Sequence, residues 1–181
     1  MLQRRRTRLR KLMKNNYRGY ALALLGLLIG ACSSQPTKVE YYRLPSLNPA
    51  PQHLCSDAAV QLQLSPYLQT SGIFFQLSRS QWQAAKRHRW VMPLAEQLKR
   101  IAQRQASCEG ELRLVVTDFY ADNRQHAVVA GSWKYRASAS SEWQQGPFYA
   151  REALANDGYP ALIDALDNAW QRALTEIQQN Y

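Results

Sequence analysis

The chain has 181 residues, a formal net charge of +10 and three cysteines. Eight of its 23 Lys and Arg residues fall in residues 1–31, which contain no Asp or Glu, so the rest carries 15 basic and 13 acidic residues. A protein that binds nucleic acid needs a basic face that survives processing. The near-neutral remainder excludes nucleic acid as the main partner.

The first 31 residues have the three parts of a secretory signal peptide. Eight basic residues lie in residues 1–20, residues 21–30 form an apolar run, and Gly30-Ala31 supplies small residues for cleavage. A membrane-spanning helix needs about 20 apolar residues, so this run is too short to be one. We predict residues 1–31 to be a cleaved signal, and translation from Met13 would give it a more usual length.

The signal ends in Ile29-Gly30-Ala31-Cys32, which resembles the bacterial lipobox of one aliphatic residue, two small residues and a cysteine. The alternative is a buried or disulfide cysteine beside an ordinary cleavage site. The resemblance implies that Cys32 carries a diacylglycerol and an N-terminal acyl chain such as palmitate, with no other cofactor. Three chains would anchor strongly, because each buried methylene contributes about 0.8 kcal/mol and one chain alone is marginal. Ser33, in place of aspartate, implies the outer membrane.

Residues 32–57 are predicted to form an acylated tether and an extended segment. They are rich in Ser, Pro, Gln and Asn, and their prolines exclude a helix. Tyr41-Tyr42-Arg43-Leu44-Pro45 is too aromatic for a pure linker, so we expect it to lie along the domain formed by residues 58–181. The chain after the signal is long enough for one domain with its own core.

Two cysteines remain after Cys32. In an oxidising periplasm Cys55 and Cys108 can pair, and in the chain-entropy model a loop of this size stabilises the fold by about 4 kcal/mol. Two unrelated buried thiols are the alternative. The sequence leaves both open, because it does not contain the geometry of a disulfide.

The domain is predicted to begin with strands and a helix. Residues 59–64 alternate between apolar and polar, residues 73–77 form a second strand, and residues 81–85 are a candidate third. Lys86-Arg87-His88-Arg89 is predicted to be a solvated turn before a helix that starts near Pro93. The apolar face of this helix consists of Leu94, Leu98, Ile101 and Ala102.

The second half of the domain is predicted to be a meander and a helix. Residues 111–119 and 127–136 form a hairpin, residues 146–152 extend it, and Asn156-Asp157 caps the last helix. Docking the apolar stripe of that helix on the sheet predicts an α+β fold, with two helices packed on an antiparallel or mixed sheet. The stripe consists of Tyr159, Leu162, Ile163, Leu166, Trp170, Leu174 and Ile177.

No catalytic or metal site is predicted. His53, His88 and His126 fall in the tether, the basic turn and the hairpin loop, and no His, Cys and Asp cluster has metal-ligand spacing. The sequence has no serine-nucleophile motif and no glycine-rich phosphate loop. Asp118 and Asp122 come closest to a carboxylate pair, but a strand end and a turn need such residues in any case.

A partner or lipid surface is the remaining candidate site. Trp82 and Trp143 lie near turns, where they can face a lipid or a protein, and the basic residues Lys86, Arg87 and Arg89 can contact anionic head groups or an acidic partner. The alternatives are a core position for each tryptophan and a solvated turn for the basic residues. The tryptophans predicted to be core are Trp90 and Trp170.

Several short motifs follow the signal in a characteristic order. They are Cys32, Tyr41-Tyr42-Arg43-Leu44-Pro45, Tyr67-Leu68, Trp90-Val91-Met92-Pro93-Leu94 with Gln97-Leu98, Val116-Thr117-Asp118-Phe119, Ala130-Gly131-Ser132-Trp133 and Asp157-Gly158-Tyr159. Their order and spacing resemble the PqiC-like ABC-transport auxiliary lipoproteins along nearly the whole mature chain. Cys55 and Cys108 are not part of that pattern.

This resemblance implies a lipid-anchored outer-membrane lipoprotein that faces the periplasm and has no enzymatic step. It would dock an MCE-domain, periplasm-spanning protein and its inner-membrane component, which move phospholipid between membranes and maintain membrane integrity. Members of such assemblies act as docking rings or caps, so homo-oligomerisation is implied as well. The alternative is an envelope lipoprotein that assists assembly of the outer membrane or a surface organelle without lipid cargo.

Overall fold

A mixed sheet of seven strands and two helices make up the fold in the computed structural model, which describes residues 38–48, 59–106 and 108–181. The strands are β1 (Glu40–Tyr42), β2 (Val60–Leu64), β3 (Gly72–Gln76), β4 (Trp82–Trp90), β5 (Glu111–Ala121), β6 (His126–Arg136) and β7 (Gln144–Ala153). The helices are α1 (Leu94–Gln105) and α2 (Tyr159–Gln178), and two short 3-10 helices span Pro45–Leu47 and Pro66–Gln69. The predicted α+β class is confirmed, with a mixed sheet.

Strand β5 organises the sheet. The strand order is β1-β4-β3-β5-β6-β7, and β2 also pairs with β5, in parallel, alongside its first half. Along β5 the core residues alternate with exposed ones until a bulge between Val116 and Asp118 shifts the register. Gly131 of β6 lies opposite, where an added Cβ would come within 2.0 Å of the Val115 carbonyl oxygen, so a side chain has no room there.

Both helices pack on one face of the sheet and form the core with it. The predicted stripe of α2 is buried from Leu162 to Ile177, and the apolar face of α1 is buried as well. Trp170, completely buried, donates its indole N–H to the Leu98 carbonyl oxygen at 3.3 Å and thereby joins the two helices. Trp90 and Trp170 are core residues, as predicted.

The prediction of a solvated turn at Lys86-Arg87-His88-Arg89 is wrong. These residues belong to β4, which continues to Trp90. This strand pairs with β1 on one side and with β3 on the other. A register shift between Gly72 and Phe74 of β3 accommodates this stretch. His88 and Arg89 pair with β1, and Arg89 also pairs with Gly72 of β3, so contacts with other strands hold in β4 a segment whose charged sequence favoured a turn.

The predicted cap of the last helix is also corrected. The residue at the N-cap position of α2 is Gly158, with φ of +100°, and its cap has no side-chain hydrogen bond. Asp157 instead accepts a hydrogen bond from the Gln125 side chain at 3.0 Å. The chain enters α2 through a left-handed backbone turn, which glycine adopts without steric cost.

The segment that follows β1 is fastened to both helices by buried polar side chains. Gln97 of α1, completely buried, accepts a hydrogen bond from the Leu44 N–H at 2.9 Å. Asp167 of α2 accepts hydrogen bonds from the Ser46 N–H at 2.8 Å and from its hydroxyl at 2.6 Å. Arg104 donates to the Ser46 carbonyl oxygen. Tyr41 to Pro45 therefore lies along the domain, as predicted, and the compact unit extends from Val39 to Tyr181.

Gln97→Leu should destabilise the fold by about 1–3 kcal/mol, because the buried Leu44 N–H would lose its acceptor. Urea unfolding of the two proteins measures the difference in the free energy of unfolding. Gln63→Leu, at an exposed position of β2, is the matched control and should change it little. Equal unfolding midpoints for Gln97→Leu and the parent protein would contradict this fastening.

Candidate functional site

The strongest candidate surface is the face of the sheet opposite the two helices. Side chains that alternate with the core residues of β5, β6 and β7 point to this face, which we call the open face. Val115 pairs with Ser132, and Ser132 pairs with Pro147, so they form one row across three strands. The exposed residues of the open face include Arg113, Val115, Ser132, Lys134, Pro147 and Tyr149.

Four aromatic side chains pack edge to face at one end of the open face. We call Tyr67, Phe74, Trp82 and Tyr120 the aromatic cluster. The ring of Tyr67 lies 5.1 Å from that of Phe74 and 5.8 Å from that of Trp82, and Trp82 lies 4.3 Å from Tyr120. The Tyr67 hydroxyl donates to the Thr117 carbonyl oxygen at 3.0 Å. Trp82 remains 39% exposed, so the cluster presents an apolar surface to its surroundings.

Tyr149 continues this surface on β7, where it is 60% exposed. Between Tyr149 and Tyr120 lies a groove of about 340 Å³, rimmed by the charged residues Arg79 and Arg151. Burial raises the pKa of Tyr120, and the Asp118 carboxylate raises it further. The groove therefore presents phenol side chains beside charged residues, a combination that suits a protein partner.

Trp143 lies at the other end of the open face in a cluster of its own. Its ring is 4.5 Å from the Arg113 guanidinium carbon and 4.7 Å from that of Arg136. Both arginines also bind Glu111. The Arg113 hydrogen bond, joined by that of Arg136, lowers the pKa of Glu111 although burial opposes it. Trp143 is thus a cation–π partner within the domain.

The residues predicted as a partner or lipid surface do not form one surface. Trp82 contacts Tyr120, and Trp143 contacts Arg113. Arg113 and Tyr120 are seven positions apart on β5, which corresponds to roughly 23 Å along the strand. Lys86 and Arg87 are exposed on β4, and Arg89 follows them with a hydrogen bond to the Lys86 carbonyl oxygen.

The cysteine predictions fall largely outside the described residues. Cys32, which the lipobox assigns to the anchor, lies there, as do Cys55 and the predicted signal. Cys108 is a disulfide-bonded cysteine. Its pairing with Cys55 stays a prediction, and alkylation without reductant tests it, because two alkylated thiols would exclude the bond.

The histidines within the described residues hold structural positions. His88 stacks on Tyr159 with ring centroids 3.4 Å apart, and its Nδ1 lies 3.1 Å from the Tyr42 hydroxyl. His126 lies 3.2 Å from Arg151 and 3.5 Å from Asp122. Across residues 38–48, 59–106 and 108–181, no three His, Cys, Asp or Glu side chains are grouped so that they could hold a metal ion.

Asp122 ties the β5–β6 hairpin to β7. Its carboxylate accepts hydrogen bonds from the N–H groups of Arg124 and His126, at 2.8 and 2.9 Å, and from the Arg151 guanidinium at 2.6 Å. Burial alone would raise the pKa of Asp122, but these hydrogen bonds and the Arg151 charge outweigh it and lower the pKa. Asp122 therefore has a structural role, as the sequence favoured.

Sequence reasoning missed most of the open-face aromatic residues. Tyr120 and Tyr149 occupy positions of β5 and β7 that alternate with core residues, where a half-buried strand normally carries polar side chains. That alternation is the pattern from which the exposure of Tyr120 and Tyr149 could have been predicted. Their proximity to Trp82 could not be predicted from the sequence, because it depends on β3 and β4 pairing beside β5.

Comparison with known proteins gives three findings. Residues 102–178 match the family described as the ABC-type transport auxiliary lipoprotein component. The intermembrane transport lipoproteins PqiC of Escherichia coli strain K12 and of Shigella flexneri are each 22% identical to the chain over 180 residues, which cover 88% of this chain and 95% of the relative.

Two crystal structures share the fold. One, of an uncharacterized protein, is 21% identical with a TM-score of 0.66 and covers 79% of this chain and 98% of its own. The other, of a protein from Xanthomonas campestris, is 15% identical with a TM-score of 0.59, and the match covers 77% of this chain and 90% of that protein's chain. None of the helices in the described residues is both long and apolar enough to span a membrane.

The fold and the open face define an α+β domain in which one face of the sheet carries exposed aromatic side chains with charged neighbours. The matches identify its relatives more closely. They confirm the predicted resemblance and support the PqiC-like auxiliary lipoprotein family for this chain.

Asp122→Asn should lower the free energy of unfolding by about 1–3 kcal/mol at neutral pH, because it removes a charged hydrogen-bond acceptor from a half-buried network. Since the folded-state pKa lies below the ordinary value of 3.8, this contribution is present above that value and is lost as the pH falls through the lower one. Unfolding free energies at a series of pH values should show the two proteins converging in acid. Glu176→Gln, at an exposed position of α2, is the control and should change the free energy of unfolding little.

Proposed function

We propose that the protein is an auxiliary lipoprotein of an intermembrane transport system and acts by docking a partner rather than by catalysis. The observation that carries this proposal is the similarity to PqiC, which extends over 95% of the relative's length. The family match, described as a transport auxiliary component, supports the same role. No residue is assigned a chemical step.

In this proposal Cys32 carries the acyl chains and holds the protein at the outer membrane, facing the periplasm. The partner is an MCE-domain, periplasm-spanning protein with its inner-membrane component, and the cargo is phospholipid. Several copies of the chain would assemble as a homo-oligomeric docking platform. Docking at the outer membrane would support envelope integrity by letting lipid pass between the membranes.

The open face is the docking surface in this proposal. Exposed apolar residues with a polar rim mark partner sites on proteins, and tyrosine and tryptophan contribute most to such interfaces. Tyr149 lies on β7, five strands from β1 in the sheet order, which is roughly 24 Å across the strands. Because the described chain enters the domain at β1, Tyr149 lies on the sheet edge farthest from that point of entry.

Capture of the acylated protein from detergent-solubilised envelopes should recover the MCE-domain partner. Tyr149→Ser should reduce recovery by about thirtyfold, the effect expected for the loss of a tyrosine hot spot worth about 2 kcal/mol. Quantitative immunoblotting of the partner measures the change. Palmitate labelling in the same cells should depend on Cys32.

Tyr41→Ser is the matched control, because Tyr41 is 65% exposed on β1, away from the open-face groove. It should leave partner recovery unchanged. Full recovery with Tyr149→Ser would refute the open face as docking surface. Absence of any envelope transport component from the captured material would refute the proposed function itself.

A further inference from the structure

The sheet edge at β1 exposes apolar and basic side chains side by side. Val39 and Tyr41, on the chain that forms β1, are 41% and 65% exposed, and Val91, directly after β4, is 56% exposed. Tyr41 pairs with Arg89 in the parallel β1–β4 ladder. Because paired residues of adjacent strands share a face, the phenol and the guanidinium point to the same side of the sheet.

Two further basic residues extend this edge. Lys86 and Arg87 lie in β4 just before His88, which pairs with Glu40 at the start of β1. Both are exposed, and within the described residues neither forms an ion pair, unlike the arginines of the Glu111 and Asp122 clusters. We call Val39, Tyr41, Lys86, Arg87 and Arg89 the β1 edge.

The acidic residue nearest in the ladder is already engaged. Glu40 accepts a hydrogen bond from Tyr42 at 2.7 Å and lies 3.4 Å from His88. It alternates with Val39 and Tyr41 along β1, so it points to the other side of the strand. The β1 edge has three basic residues against this one carboxylate, so its net charge is positive.

The length of chain before β1 limits how far this edge can be from an anchor at Cys32. Cys32 precedes Glu40 by eight residues, and an extended chain spans at most about 3.6 Å per residue, which gives a limit of about 29 Å. The domain cannot slide along the tether, because the segment after β1 is fastened to Gln97 and Asp167. An anchor at Cys32 would therefore hold the start of β1 within about 29 Å of the membrane surface.

We infer that the β1 edge rests on anionic phospholipid head groups of the membrane that holds the anchor, an inference that rests on the proposed acylation of Cys32. Tyr41 has the amphipathic character of residues at membrane interfaces, and the basic residues complement anionic lipid. This contact orients the domain with β1 toward the lipid and the Tyr149 end of the open face toward the periplasm. A lipoprotein so oriented presents its docking surface in one direction.

The test uses the mature chain with Cys32→Ser, which lacks acyl chains, and vesicles of phosphatidylcholine with or without phosphatidylglycerol. Sedimentation should show binding only where phosphatidylglycerol is present. Each basic residue near an anionic surface contributes roughly fivefold to partition, so Lys86→Ser with Arg87→Ser should weaken binding by about 25-fold. Tyr41→Ser should weaken it as well.

The charge-matched control is Arg124→Ser with Lys134→Ser, two exposed basic residues on the β5–β6 hairpin and on the open face. It should leave vesicle binding unchanged, and thermal melting should show that both double variants are folded. Equal losses in the two double variants, or equal binding to both kinds of vesicle, would overturn the inference.

The outcome is separable from that of the proposed function. Absence of palmitate on Cys32, or of a captured transport partner, contradicts the proposed function in assays that contain no vesicles. Parent-like vesicle binding by the Lys86→Ser and Arg87→Ser variant, with acylation and capture intact, contradicts the β1 edge alone. The inference would also be overturned if the Lys86→Ser and Arg87→Ser variant bound vesicles like the parent while Tyr149→Ser lost vesicle binding. The open face would then be the lipid-binding surface.

Discussion

The structure depends on the hydrogen bonds that fasten the segment after β1 to both helices. Gln97 and Asp167 are buried polar residues on otherwise apolar helix faces, and each accepts a backbone N–H that has left the sheet. A buried N–H without an acceptor is costly, so these two side chains fix one path for the segment. Burial raises the pKa of the Asp167 carboxyl despite its hydrogen bonds to Ser46. The path of the segment after β1 is thereby fixed to the core.

The two edges of the sheet differ. β1 is short and lies at the edge where the described chain begins, whereas β7 is long and forms the opposite edge. The helices cover only one face, so the aromatic cluster and Tyr149 remain accessible on the other. The proposed lipid-facing edge and the proposed partner-facing surface therefore occupy different parts of one small domain.

The local chemistry of each surface explains why they differ. At the other end of the open face, Arg113 and Arg136 share the Glu111 carboxylate and lie over the Trp143 ring, so these side chains bind one another. On β4, Lys86 and Arg87 keep their charge available. Aromatic residues near fixed ion pairs favour a protein partner, and aromatic residues near available cations favour an anionic surface.

The sequence by itself determined the elements whose patterns are strong and local. Alternation in residues 111–119 and 127–136 identified the central hairpin, and the apolar stripe from Leu162 to Ile177 identified α2 and its buried face, which together predicted the α+β class. The family resemblance rested on short motifs, such as Ala130-Gly131-Ser132-Trp133, whose glycine proves to face a backbone oxygen.

Only the tertiary structure decided the identity of the surfaces. Lys86-Arg87-His88-Arg89 reads as a turn because charge disfavours a strand locally, yet pairing with β1 and β3 makes it one. Trp82 and Trp143 look equivalent in sequence, but one packs in an open aromatic cluster and the other between two arginines. Contacts between residues far apart in the chain set these outcomes, and no local pattern encodes which strands will become neighbours.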